Sequence, residues 1–191
     1  KRQDNKLVRQ QMIEAASGFR INTGDDVDYA GGDFGWYIDL PVTGERVVFD
    51  PQVRAGFVFF STLIPSQNPC DFGGSGWIMA LDQATGQSPA SPIFDTDNNA
   101  VVDGSDVLSY GGTDHAASGT YSGSSIPTAS AFLGAGKGGS GGGGGGDSCP
   151  AGTSKTLRYV TLSDGTQEVK EICLPDGLKL GRLSWRQLSF D

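Results

Sequence analysis

The sequence predicts an all-β protein, mostly antiparallel, and three observations carry that prediction. From Trp36 onward apolar residues recur with a period of two. Turn signals interrupt these runs every ~8–12 residues. Helix-type spacing is confined to residues 1–17. Many short strands of this kind build a sandwich, a barrel or a portion of a propeller.

Taken in order, Leu7, Val8, Met12 and Ile13 fall at near-helical offsets, and read alone they predict a short amphipathic helix ended by Gly18. Residues 19–33 hold three Gly and four Asp and read as a loop. Residues 36–40 form a strand stopped by Pro41, and Thr43-Gly44-Glu45 turns the chain into a strand over Arg46 to Phe49. Phe57 to Ile64 is nearly continuous in apolar residues, as expected of a strand covered on both faces. Pro65 to Gly76 is a loop containing Cys70, Trp77 to Leu81 is a strand, and Asp82-Gln83-Ala84-Thr85-Gly86 is a tight turn. Residues 104–131 are rich in Gly, Ser, Thr and Ala, with a strand expected near 129–133. Gly134 to Gly146 ends in six consecutive Gly, a flexible loop or linker because glycine gives up the most backbone entropy on ordering. Leu157 to Leu162 and Gln167 to Leu174 form a hairpin around Asp164-Gly165, and residues 181–188 make a last strand bearing Trp185.

The 191 residues suffice for one domain with a core. A formal charge of −8 argues against nucleic acid and anionic membranes as partners and suits a protein that binds cations. No apolar run is long enough for a transmembrane helix. Lys1 opens a polar segment with no signal peptide, so the chain reads as a piece of something longer. Of the three cysteines, Cys149 and Cys173 bracket the hairpin, and a disulfide between them would contribute about 3 kcal/mol. Cys70 is then free or paired outside the fragment. Three reduced thiols of a cytosolic protein are the alternative; the near-absence of helix and the chemistry of the next segment favour an oxidising, extracytoplasmic setting.

That segment is residues 95–106, Asp-Thr-Asp-Asn-Asn-Ala-Val-Val-Asp-Gly-Ser-Asp. Asp95, Asp97, Asn99, Asp103 and Asp106 stand at positions 1, 3, 5, 9 and 12 of a calcium loop of the EF-hand or dockerin kind, with the Val101 carbonyl at position 7. Ca²⁺ is a hard cation that takes about 6–8 oxygen ligands, and alternate side chains of a tight loop can supply them. Val102, at position 8, is apolar and should anchor the loop to a core. Two positions depart from the pattern. Ala100 occupies the place of the usual Gly, where a left-handed backbone costs about 1 kcal/mol, and Asp106 replaces the longer bidentate Glu, as in dockerin-like extracellular loops. A solvated acidic turn is the plain alternative.

Ala80-Leu81-Asp82-Gln83-Ala84-Thr85-Gly86 fits A-x-D-x-x-T-G and resembles the blade repeat of quinoprotein-type eight-bladed propellers. It stands in a series: Gly35 to Pro41, Gly44 to Val48, Phe59 to Pro65, Asn68-Pro69-Cys70, Gly73 to Trp77, the acidic loop, and Ser184 to Leu188. Over about residues 34–106 and again 181–188 this series resembles the C-terminal part of the PilY/PilC family, tip-associated proteins of bacterial type IV pili. The resemblance implies the terminal blades of a β-propeller-like domain with the calcium loop inserted, and strand rather than helix before residue 34. It implies a cell-surface or pilus-tip location and calcium as a switch in pilus assembly, retraction and twitching motility. The partners it implies are minor pilins or the tip complex, with a host-cell surface where members act as adhesins.

Two other function classes fit the sequence less well. A quinoprotein dehydrogenase fragment would need a cofactor pocket and a catalytic carboxylate; one blade motif, no adjacent cysteine pair and no catalytic constellation argue for a non-enzyme. His115, the sole histidine, follows Asp114, but no nucleophile motif accompanies the pair, and it reads as solvent-exposed. A dockerin-like module would need a second loop, and residues 25–33 hold their Asp at uneven offsets. Trp36, Trp77 and Trp185 read as core packing rather than a sugar platform. Arg46, Arg54, Arg182 and Arg186 read as strand-surface ion pairs, and Lys137 lacks the context of a phosphate loop.

Overall fold

The computed structural model describes residues 6–16, 18–66, 73–134, 149 and 152–175. The segments 135–148 and 176–191 and the stretch around Cys70 lie outside it, and with them the glycine tract, the strand expected over 181–188 and Trp185. Among the described residues there is no helix. The first half supplies β1 (Leu7–Ala16), β2 (Phe19–Gly24), β3 (Gly35–Ile38), β4 (Arg46–Val47), β5 (Gln52–Arg54), β6 (Phe57–Pro65), β7 (Gly74–Ser75) and β8 (Trp77–Asp82). The second supplies β9 (Val107–Tyr110), β10 (Thr113–Ala116), β11 (Gly119–Tyr121), β12 (Ala131–Gly134), β13 (Thr153–Thr161) and β14 (Gln167–Pro175).

Nine strands form one sheet in the order β3-β1-β2-β11-β8-β6-β4, with β5 and β7 also pairing β6. The sheet curls into a half-barrel. All its pairings are antiparallel except β1 with β3. β9 and β10 form a separate hairpin, and β12-β13-β14 a three-stranded sheet.

The helix that spacing alone predicts within residues 1–17 is a strand over Leu7–Ala16, as the family resemblance implied. Its side chains alternate, with Gln10 and Met12 buried and Arg9 and Gln11 exposed. The polar Gln10 takes an inward position and donates from Nε2 to the Asp25 carbonyl (2.9 Å). An amide in a core position hid the period of two and left only the apolar residues, which happen to fall at helical offsets. Residues 107–121 also hold more strand than their composition suggested. β11 fits its slot because Gly119 passes close to Met79, where a Cβ would meet the sulfur at 2.3 Å.

β6 and β8 are mostly apolar because both faces of the sheet are covered there. Phe57, Phe59 and Ala80 face one core with Ile93, Phe94, Ala117, Ile172 and Leu174. Phe60, Trp77, Met79 and Leu81 face the other with Met12. Over this second core Arg20, fully buried, makes a two-pronged pair with Glu45 (2.6 and 3.0 Å) and stacks on the Trp77 ring at 3.9 Å. A buried Arg–Glu pair of this geometry holds the 42–45 turn against the sheet.

The expected turn at Asp82 is present: its Oδ1 accepts from Ala84 N, Thr85 N and Thr85 Oγ1. Gly86 adopts a φ of 70° and lies under the Trp36 ring, which a Cβ would strike at 2.3 Å. Trp36 Nε1 donates to Gln83 O (3.0 Å) and Tyr29 OH to Ala84 O (2.6 Å), so β3 and its approach grip this turn. The expected hairpin is β13–β14 around Asp164-Gly165, with Gly165 at a φ of 85°. Cys149 and Cys173 form the disulfide considered from their positions. Among the described residues Arg46 and Arg54, expected in ion pairs, donate to the carbonyls of Gly44 and Phe132, and Arg182 and Arg186 lie outside the described residues.

Candidate metal centre

Residues 95–106 leave one core and arrive at a hairpin. Ile93 and Phe94 are buried beside Ile172 and Leu174, and Val102 is 4% exposed, the anchor expected of position 8. β9 begins at Val107, directly after Asp106. The loop has no flanking helices; its ends are held by a β core on one side and a β hairpin on the other.

Within the loop each carboxylate is set by its own backbone. Asp106 is completely buried. Its Oδ1 accepts from Thr96 N (2.6 Å), Thr96 Oγ1 (3.2 Å) and Asp97 N (3.4 Å), and its Oδ2 from Asp103 N (2.8 Å). The side chain of position 12 thus crosses back to the start of the loop and closes it. Asp97 accepts from the backbone and side-chain nitrogens of Asn99, whose Oδ1 accepts from Val101 N (2.7 Å). Asp95 Oδ2 accepts from Ala100 N (3.0 Å), while Asp95 Oδ1 is buried with no hydrogen-bond partner. Ala100 takes a φ of 67° and Asn98 one of 60°. The left-handed conformation expected at position 6 is therefore present despite the methyl group.

Carboxylate oxygens of Asp95, Asp97 and Asp106 lie within 4.8 Å of one another. Asn99 adjoins this group through Asp97. Asp103 stands outside it: Ser105 N and Oγ donate to its Oδ1 (2.7 and 2.6 Å), and these bonds hold its carboxyl below the usual carboxylate range. In EF-hand loops position 9 often acts through a water. Val101 enters through its backbone, with a side chain 37% exposed. Thr96 and Ser105, which orient Asp106 and Asp103, were not singled out from the sequence; a hydroxyl residue next to, or two after, an aspartate is the signal that could have found them.

An orphaned buried carboxylate oxygen is costly without a partner. Three carboxylates converge around it, and the donor set is oxygen only. Such an arrangement fits a hard divalent cation, and calcium tolerates the mixed carboxylate, amide and carbonyl ligands available here better than magnesium does. His115 and Asp114 lie elsewhere, on β10, where Asp114 accepts from Ser109 Oγ.

No protein-family model matches the chain. Among curated proteins, the type IV pilus biogenesis factor PilY1 of Pseudomonas aeruginosa is 32% identical over 118 residues, covering 57% of this chain and 10% of that protein. A PilY1 homolog of Xylella fastidiosa is 26% identical over 195 residues, covering 96% of this chain and 13% of its own length. The chain thus spans roughly a tenth of the length of these relatives. The crystal structure of the P. aeruginosa PilY1 C-terminal domain superimposes with a TM-score of 0.54 at 22% identity, over 87% of this chain and 31% of that one.

Proposed function

We propose, from the premise that the chain is a relative of the PilY1-type type IV pilus proteins and carries the fold of part of their C-terminal domain, that it is a calcium-binding surface element of a type IV pilus protein. In this reading the described strands are the terminal blades of a β-propeller-like domain, and the 95–106 loop is its inserted metal site. The reading is one of binding and switching, without a catalytic step. The observation that carries it is the buried, unpartnered Asp95 Oδ1 within the Asp95–Asp97–Asp106 group.

When bound, calcium supplies positive charge and oxygen-seeking coordination. The chain's residues supply the rest. Asp95 and Asp97 sit at the end held by Ile93 and Phe94; Asp106 sits at the end that becomes β9. Sharing one cation removes their mutual repulsion and clamps the exit of the loop to its entrance, which biases the β9–β10 hairpin toward one pose. A surface at the pilus tip that presents this hairpin to minor pilins, or to a host cell, would then be competent only with calcium, and pilus assembly, retraction and adhesion would follow it.

Calorimetric titration and thermal unfolding with and without millimolar Ca²⁺ test this reading. The expected result is a saturable calcium isotherm and a rise in Tm, both lost in Asp95→Ala and Asp97→Ala. A wild-type chain whose unfolding ignores calcium would overturn it.

A further inference from the structure

A second site lies apart from the metal loop. A cleft of about 290 Å³ opens between the C-terminal end of β2, the Gln87–Ala90 segment and β10. Beside Asn22, its polar side chains are those of Thr23, Gln87, Ser88, Asp114 and His115, and no aromatic residue lines it other than the imidazole. The floor is fixed by hydrogen bonds. Asn22 is buried; its Nδ2 donates to Gly86 O (3.3 Å), and its Oδ1 accepts from Ser118 Oγ (3.0 Å). Asn22 N donates to Ser88 Oγ (2.9 Å), and Ser88 N donates to Asn22 O (2.9 Å). The Ser88 hydroxyl, oriented by that bond, keeps its own proton to donate. Asp114 is held on the opposite wall by Ser109 Oγ, leaving its second oxygen as an acceptor.

We infer that this cleft binds a single saccharide unit, gripped by its hydroxyl groups. The volume stands at the small end of the roughly 300–1,000 Å³ range of ligand clefts, the size of a small molecule rather than a peptide. The chemistry is mixed: Thr23 and Ser88 hydroxyls and an imidazole N–H donate, while Asp114 and the other imidazole nitrogen accept. A hydroxyl both donates and accepts, so a polyol satisfies both kinds of wall. An anion would face Asp114 and the chain's net charge of −8. A cationic side chain would use Asp114 and leave the donors idle, and a quaternary ammonium would need an aromatic cage. This site goes beyond the calcium reading: its floor is β2 and the Gln87–Ala90 segment, which carry none of the loop's ligands, and its β10 wall lies on the hairpin that the metal loop leads into, so the titration below is run both with calcium and in chelator.

The chain carries a built-in reporter, because His115 is its only histidine. The test is a titration of the full chain with methyl glycosides of glucose, galactose, mannose and N-acetylglucosamine, following the His115 ring signals by NMR. At least one glycoside should move them saturably. Asp114→Asn and Ser88→Ala should each weaken that binding by about tenfold, the loss of one hydrogen bond to a charged or oriented partner. Asp164→Asn, in the remote β13–β14 turn, should bind as the parent does. Signals that no glycoside moves would overturn the proposal. So would a shift unchanged by Asp114→Asn and Ser88→Ala alike, or a response to acetyl-arginine amide and to no glycoside.

Discussion

The chain has two acidic stretches, 25–33 and 95–106, and they spend their carboxylates differently. In the first, Asp28 Oδ1 accepts from Gly31 N (2.7 Å) and Asp33 Oδ2 from Asp28 N (2.8 Å), so each closes a turn of its own backbone. The stretch then docks through Tyr29 onto the 82–86 turn. In the second, alternate positions aim three carboxylates at a common centre and leave one oxygen buried and unpaired. Charge density is similar; offset is what differs. A carboxylate that meets its own amides is satisfied, whereas carboxylates set at positions 1, 3 and 12 of one loop satisfy the backbone with some oxygens and converge with the rest.

The comparison can be broken most directly at Asp106. It is buried and accepts four hydrogen bonds, so Asp106→Ala should destabilise the chain by about 3 kcal/mol or more even in chelator, read by urea unfolding. Next is the metal itself. At a hundredfold excess over its Kd calcium should add about 2.7 kcal/mol of stability. Asp95→Asn should erase that increment and Asp28→Asn should leave it whole; an equal loss in both would dissolve the distinction between the two stretches. Asp28→Ala should cost about 1 kcal/mol, and the same amount with calcium as in chelator, because it closes only its own turn. Ala100→Gly should raise stability by up to about 1 kcal/mol and tighten calcium binding, since the φ of 67° at that position strains a residue with a Cβ.

The smallest expected effect concerns a carboxylate in a hairpin turn, bonded to Thr166 within the turn and to the Ser125 hydroxyl across from it. Asp164 has its pKa lowered by the side-chain hydrogen bond from Thr166, then by the Thr166 amide and the Ser125 hydroxyl. A folded-state pKa below the unfolded one, about 3.9, means the stabilisation is full above that value and fades as the pH falls through the folded pKa. Unfolding followed from neutral pH to about pH 3 should therefore show a slightly steeper acid loss in the parent than in Thr166→Ala.

Much of this was legible because local chemistry sufficed. The Asp82 turn, the β13–β14 hairpin and the spacing of the acidic loop depend on residues close in sequence. The amphipathic reading of residues 7–13 failed because one inward position carries an amide whose partner, Asp25 O, lies across the sheet. The buried Arg20–Glu45 pair was equally invisible, as was Arg158, which is fully buried, pairs with Glu168 and lies over Phe94 at 5.5 Å. Burial holds the Arg158 pKa below its ordinary value, and the Glu168 carboxylate opposes that shift. Arginine in a sequence reads as surface; only the fold shows which stems are swallowed. The saccharide-sized cleft escaped for a similar reason, since Thr23, Ser88 and His115 come from three distant segments.

The Cys149–Cys173 bond gives the β13–β14 hairpin a mechanical character. The two sulfurs join the chain just before β13 to a point within β14, two residues short of its end at Pro175. Tension entering ahead of Cys149 and leaving beyond Cys173 would run through the covalent bond and bypass the β13–β14 ladder between them. The hairpin is a shielded bight in the line, slack however hard its two ends are drawn.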